Sequence, residues 1–311
     1  MVKNSGLISI ENLSREKMLE LFKKADYYSE KIKNNEPINV LENKVVGILF
    51  FQPSTRTRTS FESATVRLNG KCIGFADVKL TRGGDYYRES LYDILNVVSQ
   101  YCDVMVLRHF SDEAIEIAQS IKNTPIINAG IGYREHPTQA LTDLYTMYKE
   151  SSLNSNLKVG LIGDINIRSF RSLIKGLNMF AVKNIYHLPA PNSCVPVDIK
   201  QFFENNNINY YEMEDAADMV GIVDVLETIG VNHPNHSLPF QNQISDLGIT
   251  PNTHKITLDT LKNAKDTLKV LHPMPRTDEI DVSVDQTIHA KYFEQCKYGM
   301  LIRMALLSEF S

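Results

Sequence analysis

Between the apolar run VVGILF and a stretch of helical periodicity stands FQPSTRTRTSFESA, in which Ser54, Thr55, Arg56, Thr57 and Arg58 follow one another directly after Pro53. Hydroxyl and guanidinium groups at the opening of a helix make an anion site. The first turn leaves backbone N–H groups unpaired and carries partial positive charge. Ser54, Thr55 and Thr57 add hydroxyl donors, and Arg56 and Arg58 offer planar, charge-assisted hydrogen bonds to phosphate oxygens. The alternative is a capped helix with two surface arginines; five donors in a row between strand and helix weigh against it. Further on, GLIGDINIRSFRSL sets Gly163, Asp164 and Arg168 at another strand-to-helix junction, without the glycine series of a dinucleotide site. Hydride transfer is thereby disfavoured.

Such residues need a scaffold that holds strand ends and helix starts together. The chain has 311 residues, 43% hydrophobic and 23% charged, which suits two globular domains of similar size. Its net charge of −4, with basic residues dispersed, argues against a nucleic-acid partner. MVKNSGLISIENLSREK holds no apolar stretch of signal-peptide length, and no window reaches the ~18 apolar residues of a membrane span, so a cytoplasmic protein is expected. Cys72, Cys102, Cys194 and Cys296 lack the pair spacing of zinc or redox sites and read as reduced, mostly buried packing residues. Ser14 caps a first helix with Met18, Leu21, Phe22 and Ala25 at helical spacing. Strands are expected at 45–50, 103–107 and 125–128, each followed by a helical pattern, and the rhythm restarts at 158–162, 185–188, 223–226 and 268–271. This alternation predicts an α/β fold of two domains, each a parallel sheet flanked by helices. The polar segment SSLNSN places the boundary between residues 150 and 151.

The STRTR segment resembles the phosphate-binding signature of the aspartate and ornithine carbamoyltransferases, and other blocks follow in that family's order. VLRHF supplies Arg108, EHPTQALTDLYT supplies His136 and Gln139, and LHPMPRTDEI supplies Met274, Pro275 and Arg276. The resemblance covers nearly the whole chain. It implies a carbamoyl phosphate domain, residues 1–150, completed by a C-terminal helix at 291–311, an acceptor domain at 151–290, and an active site in the interdomain cleft. Carbamoyl phosphate would be held by Ser54, Thr55, Arg56, Thr57, Arg108, His136, Gln139, Met274 and Pro275. Arg108 and His136 suit the carbonyl oxygen, while Gln139 and the backbone around Met274 and Pro275 suit the carbamoyl NH2. A capping or core histidine is the alternative for His136. Arg56, Arg108 and His136 would stabilise a tetrahedral intermediate as a neutral amine attacks, and the leaving phosphate accepts the proton. Oriented donors carry such a reaction, and no protein nucleophile is needed. Activity should rise toward alkaline pH as the amine deprotonates. No metal or organic cofactor is implied.

On the acceptor side the resemblance gives Arg168 the α-carboxylate, and Arg171 reads as a helix-surface residue. Elsewhere the chain departs from the family. The aspartate enzymes carry a serine and lysine loop where LTRGGDYYRESLYD stands, with Tyr87 near the lysine's place. They also carry an arginine and a glutamine where Gly230 and Asn232 stand, and the ornithine enzymes' serine-methionine-glycine loop is missing. Glu227, Asn232, His233, His236 and Arg276 are left for the acceptor, with Arg82 and Arg88 entering from a neighbour's loop. A buried Glu227 needs a cationic or hydrogen-bonding partner, either the substrate or a protein side chain. The expectation is a carbamoyltransferase for a small amino-acid acceptor other than aspartate or ornithine, built as a homotrimer with shared active sites. Two alternatives are a divergent aspartate carbamoyltransferase and a non-catalytic relative that binds carbamoyl phosphate.

Overall fold

The computed structural model describes residues 6–83, 88–231 and 250–311. The first sheet joins β1 (Gly6–Leu7), β2 (Val45–Phe50), β3 (Lys71–Phe75), β4 (Val104–His109) and β5 (Ile126–Ile131) in the order β1-β5-β4-β2-β3. Every pairing is parallel, with Phe50 opposite Arg108 and Leu107 opposite Asn128. Central strands of a parallel sheet are covered on both faces, which is why β4 and β5 are buried at every residue and are mostly apolar. Helices α1 (Arg15–Lys33), α2 (Thr55–Arg67), α3 (Leu91–Val98) and α4 (Ala114–Ser120) belong to this half. Ser14 caps α1 by accepting from Lys17 N at 3.2 Å, and Met18, Leu21, Phe22 and Ala25 form its buried stripe.

The second sheet joins β6 (Lys158–Gly163), β7 (Asn184–Pro189), β8 (Asn209–Glu212), β9 (Val225–Thr228) and β10 (Lys269–Leu271) in the order β10-β9-β6-β7-β8, again all parallel. Helices α6 (Arg168–Met179), α7 (Val197–Asn205) and α8 (Ala216–Met219) accompany it. Its core gathers Ile162, Leu188, Met219, Val223, Leu226, Val270 and Ile280. Two long helices remain, α5 (Pro137–Glu150) and α9 (Tyr292–Phe310).

The chain divides within these two helices. One unit runs through Leu141 and resumes at Tyr298; the other begins at Thr142 and runs to Lys297. The expected boundary at 150 and 151 sits at the end of α5, nine residues later than the observed division. Polar composition marks where a helix stops, and a helix can change unit before it stops. The edge strands β3 and β8 carry no sequence signal, because KCIGF and NYYE are mostly exposed and have no buried apolar run. Of the cysteines, Cys72, Cys194 and Cys296 are exposed and Cys102 is half-buried, so only one approaches the expected packing role. No helix among the described residues is long and apolar enough to cross a membrane.

Candidate active site

In a parallel sheet all strand C-termini share one edge, where loops and helix starts gather. In the first unit the neighbours β2, β4 and β5 bring three of the expected blocks to that edge. After β2 the backbone turns at Ser54, which is extended (φ −161, ψ 109), and α2 starts at Thr55. The Ser54 hydroxyl makes no capping bond, and the first turn of α2 has no acidic residue, so its positive end is not neutralised locally. Thr57 is buried, whereas Thr55 and Arg56 are exposed. Arg58 departs from its expected role: its Nε donates to Glu62 Oε1 at 2.7 Å one turn on, a helix-surface pair.

Arg108 lies near the end of β4 and is only 6% exposed. Its Nη1 donates to Ala129 O at 3.2 Å, while its Nε is buried with no hydrogen-bond partner among the described residues. Burial, reinforced by the nearby positive charge of Arg56, lowers the guanidinium from 12.5 to about 10. Two cations that close, one of them buried, describe a place prepared for an anion.

The turn after β5 is set by Asn128, which is fully buried. Its amide donates to Ile8 O at 2.8 Å and accepts from Gly130 N and Ile131 N at 2.8 and 2.9 Å. Gly132 follows in the left-handed region (φ 57), and a Cβ there would stand 1.7 Å from Asp112 Oδ1. The chain then reaches His136, whose carbonyl accepts from Gln139 N and Ala140 N at 3.0 and 3.1 Å and so opens α5 with Pro137 in its first turn. His136 and Gln139 are both buried, and His136 Nδ1 lies 3.4 Å from the Thr138 hydroxyl.

The second unit repeats the geometry on the neighbouring strands β10, β9 and β6. After β6, Gly163 (φ 123) packs so closely on Ile229 that a Cβ would come within 2.4 Å of its Cγ1. Asp164 accepts from Asn166 N at 2.9 Å and shapes the turn into α6, whose first residue, Arg168, is 2% exposed. Arg171 grips Asn166 Oδ1 through Nε and Nη2 and reaches Asp198 Oδ2 at 2.6 Å, the surface role expected of it. After β10, Met274 adopts a left-handed conformation (φ 59) and the Met274–Pro275 peptide is cis.

Two acceptor assignments meet a different geometry. Glu227 is 1% exposed on β9, and Gln295 Nε2 donates to its Oε1 and Oε2 at 3.2 and 3.4 Å. Burial raises its carboxyl well above 4.5, the Asp143 carboxylate pushes the same way, and the Gln295 bond opposes them. The charged form of Glu227 is thus disfavoured by its surroundings, which weakens the case for it as an anion selecting a cationic acceptor. Arg276 is likewise committed within the protein: Nη1 and Nη2 fork onto Asp285, Nη2 to Oδ2 at 2.8 Å, and the guanidinium lies over the Tyr292 ring. Asn232, His233, His236 and Tyr87 fall outside the described residues, so the geometry bears only on the others. Among the described residues no group of His, Cys, Asp and Glu is arranged to hold a metal.

Residues the sequence did not single out join the second unit's strand ends. His272, directly after β10, places Nε2 2.6 Å from Glu279 Oε1, and both are buried. Burial drives Glu279 upward, yet His272 and Thr277 outweigh it and hold the carboxyl at about 2. Asp143 in α5 and Gln295 in α9, which join this cluster, stand among other polar residues of their helices and carry no separate signal in the sequence.

Comparison with known proteins gives a consistent picture. Residues 6–149 match the model of the aspartate/ornithine carbamoyltransferase carbamoyl-P binding domain, and residues 155–310 match the model of the Asp/Orn binding domain. The aspartate carbamoyltransferase catalytic subunit of Azobacteroides pseudotrichonymphae is 35% identical over 311 residues, covering 99% of both chains. That of Archaeoglobus fulgidus is 38% identical, covering 97% of this chain and 98% of the relative. Among solved structures, aspartate transcarbamoylase from Trypanosoma cruzi in complex with carbamoyl phosphate and aspartate superposes with a TM-score of 0.86 at 31% identity, covering 99% of this chain and 97% of the other.

Proposed function

Because the chain belongs to the aspartate/ornithine carbamoyltransferase family, we propose that it binds carbamoyl phosphate at the β2, β4 and β5 ends of its first unit and carbamoylates the α-amino group of aspartate. The observation that carries the donor half is Arg108, a buried cation with an unpartnered Nε beside Arg56 at the end of a parallel sheet. Phosphate oxygens take the open N–H groups of the α2 start with Ser54, Thr55, Arg56 and Thr57. Arg56, Arg108 and His136 stabilise the negative charge that develops on the carbonyl oxygen, Gln139 and the Met274–Pro275 backbone take the NH2, and Arg168 takes the acceptor's α-carboxylate. The attacking amine must be neutral, and the departing phosphate accepts its proton.

Aspartate stands first on the strength of the relatives. Proteins 35% and 38% identical over almost the whole chain carry its name, which outweighs the sequence-based expectation of a different acceptor. A second reading, an amino acid without a second carboxylate, is favoured by one specific observation. The three heavy atoms nearest to a Cβ built at Gly230, apart from its chain neighbours, belong to the Glu279 carboxylate at 3.7–3.8 Å, and an anion there repels another. A homotrimer in a cytoplasmic setting completes the proposal and rests on the resemblance alone. Phosphate release from carbamoyl phosphate across aspartate, ornithine, putrescine and 2,3-diaminopropionate tests it. A kcat/KM for aspartate of ~10⁴ M⁻¹s⁻¹ or better supports the first reading. Turnover confined to another amine supports the second, and no turnover with any amine leaves a non-catalytic binding protein.

A further inference from the structure

The turn after β10 is held by a buried hydrogen-bond chain. His272 Nδ1 accepts from Met274 N at 2.7 Å, which puts the ring proton on Nε2, where it meets Glu279 Oε1 at 2.6 Å. The other oxygen of Glu279 accepts from Thr277 N at 2.9 Å and from its hydroxyl at 2.7 Å. The backbone N–H of His272 donates to Gln295 Oε1 at 2.8 Å, and Gln295 Nε2 donates to Asp143 Oδ1 at 2.7 Å. His272, Glu279, Gln295 and Asp143 are each at most 2% exposed.

What this chain restrains is unusual. Met274 sits at φ 59, a left-handed conformation that a side-chain-bearing residue adopts only at a cost. Strain of that kind persists only where surrounding contacts hold it, and it concentrates at functional sites. The residue that follows is Pro275, which has no N–H, so the turn is rich in carbonyl acceptors relative to donors. Carbonyl oxygens match an NH2 group and repel phosphate oxygens.

We propose that His272 and Glu279, anchored by Gln295, are positioning residues for carbamoyl transfer, holding the Met274–Pro275 backbone so that its carbonyls receive the carbamoyl NH2 of the donor. This rests on the proposed function, and it assigns a part to side chains that do not themselves touch the substrate. It also makes a distinction that a purely structural role does not. Weakening the chain lowers affinity for carbamoyl phosphate, which has the NH2, and spares inorganic phosphate, which lacks it.

Three full-length variants read this out: H272Q, H272N and E279Q. A glutamine keeps a donor near the Nε2 position and loses the acceptor for Met274 N. An asparagine keeps an acceptor near Nδ1 and loses the link to Glu279. E279Q removes the anion that keeps the proton on Nε2. Direct binding of carbamoyl phosphate and of inorganic phosphate is measured for each, with the first unit's phosphate affinity as the control for folding. H272Q and E279Q are expected to bind carbamoyl phosphate about tenfold more weakly, the equivalent of one lost hydrogen bond of ~1.4 kcal/mol, with phosphate changed less than about twofold. H272N is expected to stay within about threefold of wild type for both. An unchanged ratio of the two affinities in both H272Q and E279Q, or an equal loss of both ligands, overturns the inference. Wild-type protein that binds phosphate and not carbamoyl phosphate overturns the proposed function, and the inference with it.

Discussion

Arg108→Met is expected to leave the ligand-free protein at least as stable as wild type while removing its carbamoyl phosphate turnover. The guanidinium is 6% exposed, and burial together with Arg56 lowers it from 12.5 to about 10. At 1.36 kcal/mol per pH unit, this places on the order of 3 kcal/mol against the charged form in the folded state. Methionine follows much of the same aliphatic path and removes the charge. Losing the Nη1 bond to Ala129 O returns about 1 kcal/mol of that gain. The net expectation is a stabilisation of roughly 2 kcal/mol in phosphate-free buffer. Urea unfolding with and without phosphate measures it. In wild type, phosphate at a hundred times its dissociation constant should add about 2.7 kcal/mol, because it binds only the folded state; the variant should gain far less. A variant more than about 2 kcal/mol less stable than wild type without phosphate, or one that phosphate stabilises equally, refutes the account of Arg108 as a buried cation awaiting an anion.

Other consequences follow from the same geometry. Arg56→Ala should retain the fold, since the side chain is exposed, and lose about 10²–10³-fold in turnover, as for loss of one transition-state donor; near-normal steady-state rates would remove Arg56 from the site. Glu227→Gln should change how stability responds to pH. The folded protein holds the Glu227 proton at pH values where the unfolded chain has released it, so wild-type stability falls as pH rises from about 4.5 through the higher folded value, by up to about 1.4 kcal/mol per unit. Glutamine cannot ionise, and the variant should lack that slope; parallel stability curves for the two proteins would contradict the raised carboxyl.

The residues proposed for the donor half stand out in the sequence because their chemistry is contiguous. Ser54 to Thr57 stand in one run, Arg108 closes the apolar stretch of β4, and His136 and Gln139 come after β5. A parallel sheet then carries all three strand ends to one edge. Arg58 shows the limit of that logic. It sits in the same run, yet a glutamate four residues on offers an ion pair along the helix, and a helix start presents only part of its circumference to a ligand. The strands β3 and β8 were missed for the opposite reason, since edge strands need no apolar run to be paired.

The acceptor half was less legible because burial reverses the meaning of a charge. An acidic residue at the end of a strand reads as an anion waiting for a cation, and Glu227 was read so. The feature absent from that reading is Asp143, eighty-four positions earlier in sequence and brought beside it only by the fold. Once two carboxyls share a dry space, one is best kept neutral, and Gln295, with a donor amide for Asp143 and Glu227 and an acceptor oxygen for His272 N, joins them to the turn at Met274. The polar residues Glu227, Asp143, Gln295, Glu279 and Arg168 are all buried and differ in what holds them. Asp143, Glu227 and Glu279 are tied through Gln295 and His272 to the turn at Met274, while Arg168, equally buried, opens α6 at the end of another strand of the same sheet. Under the proposed function, the acceptor side chain is weighed at Gly230, where the atoms nearest a built Cβ are those of the Glu279 carboxylate, at the ordinary contact distance of 3.7–3.8 Å.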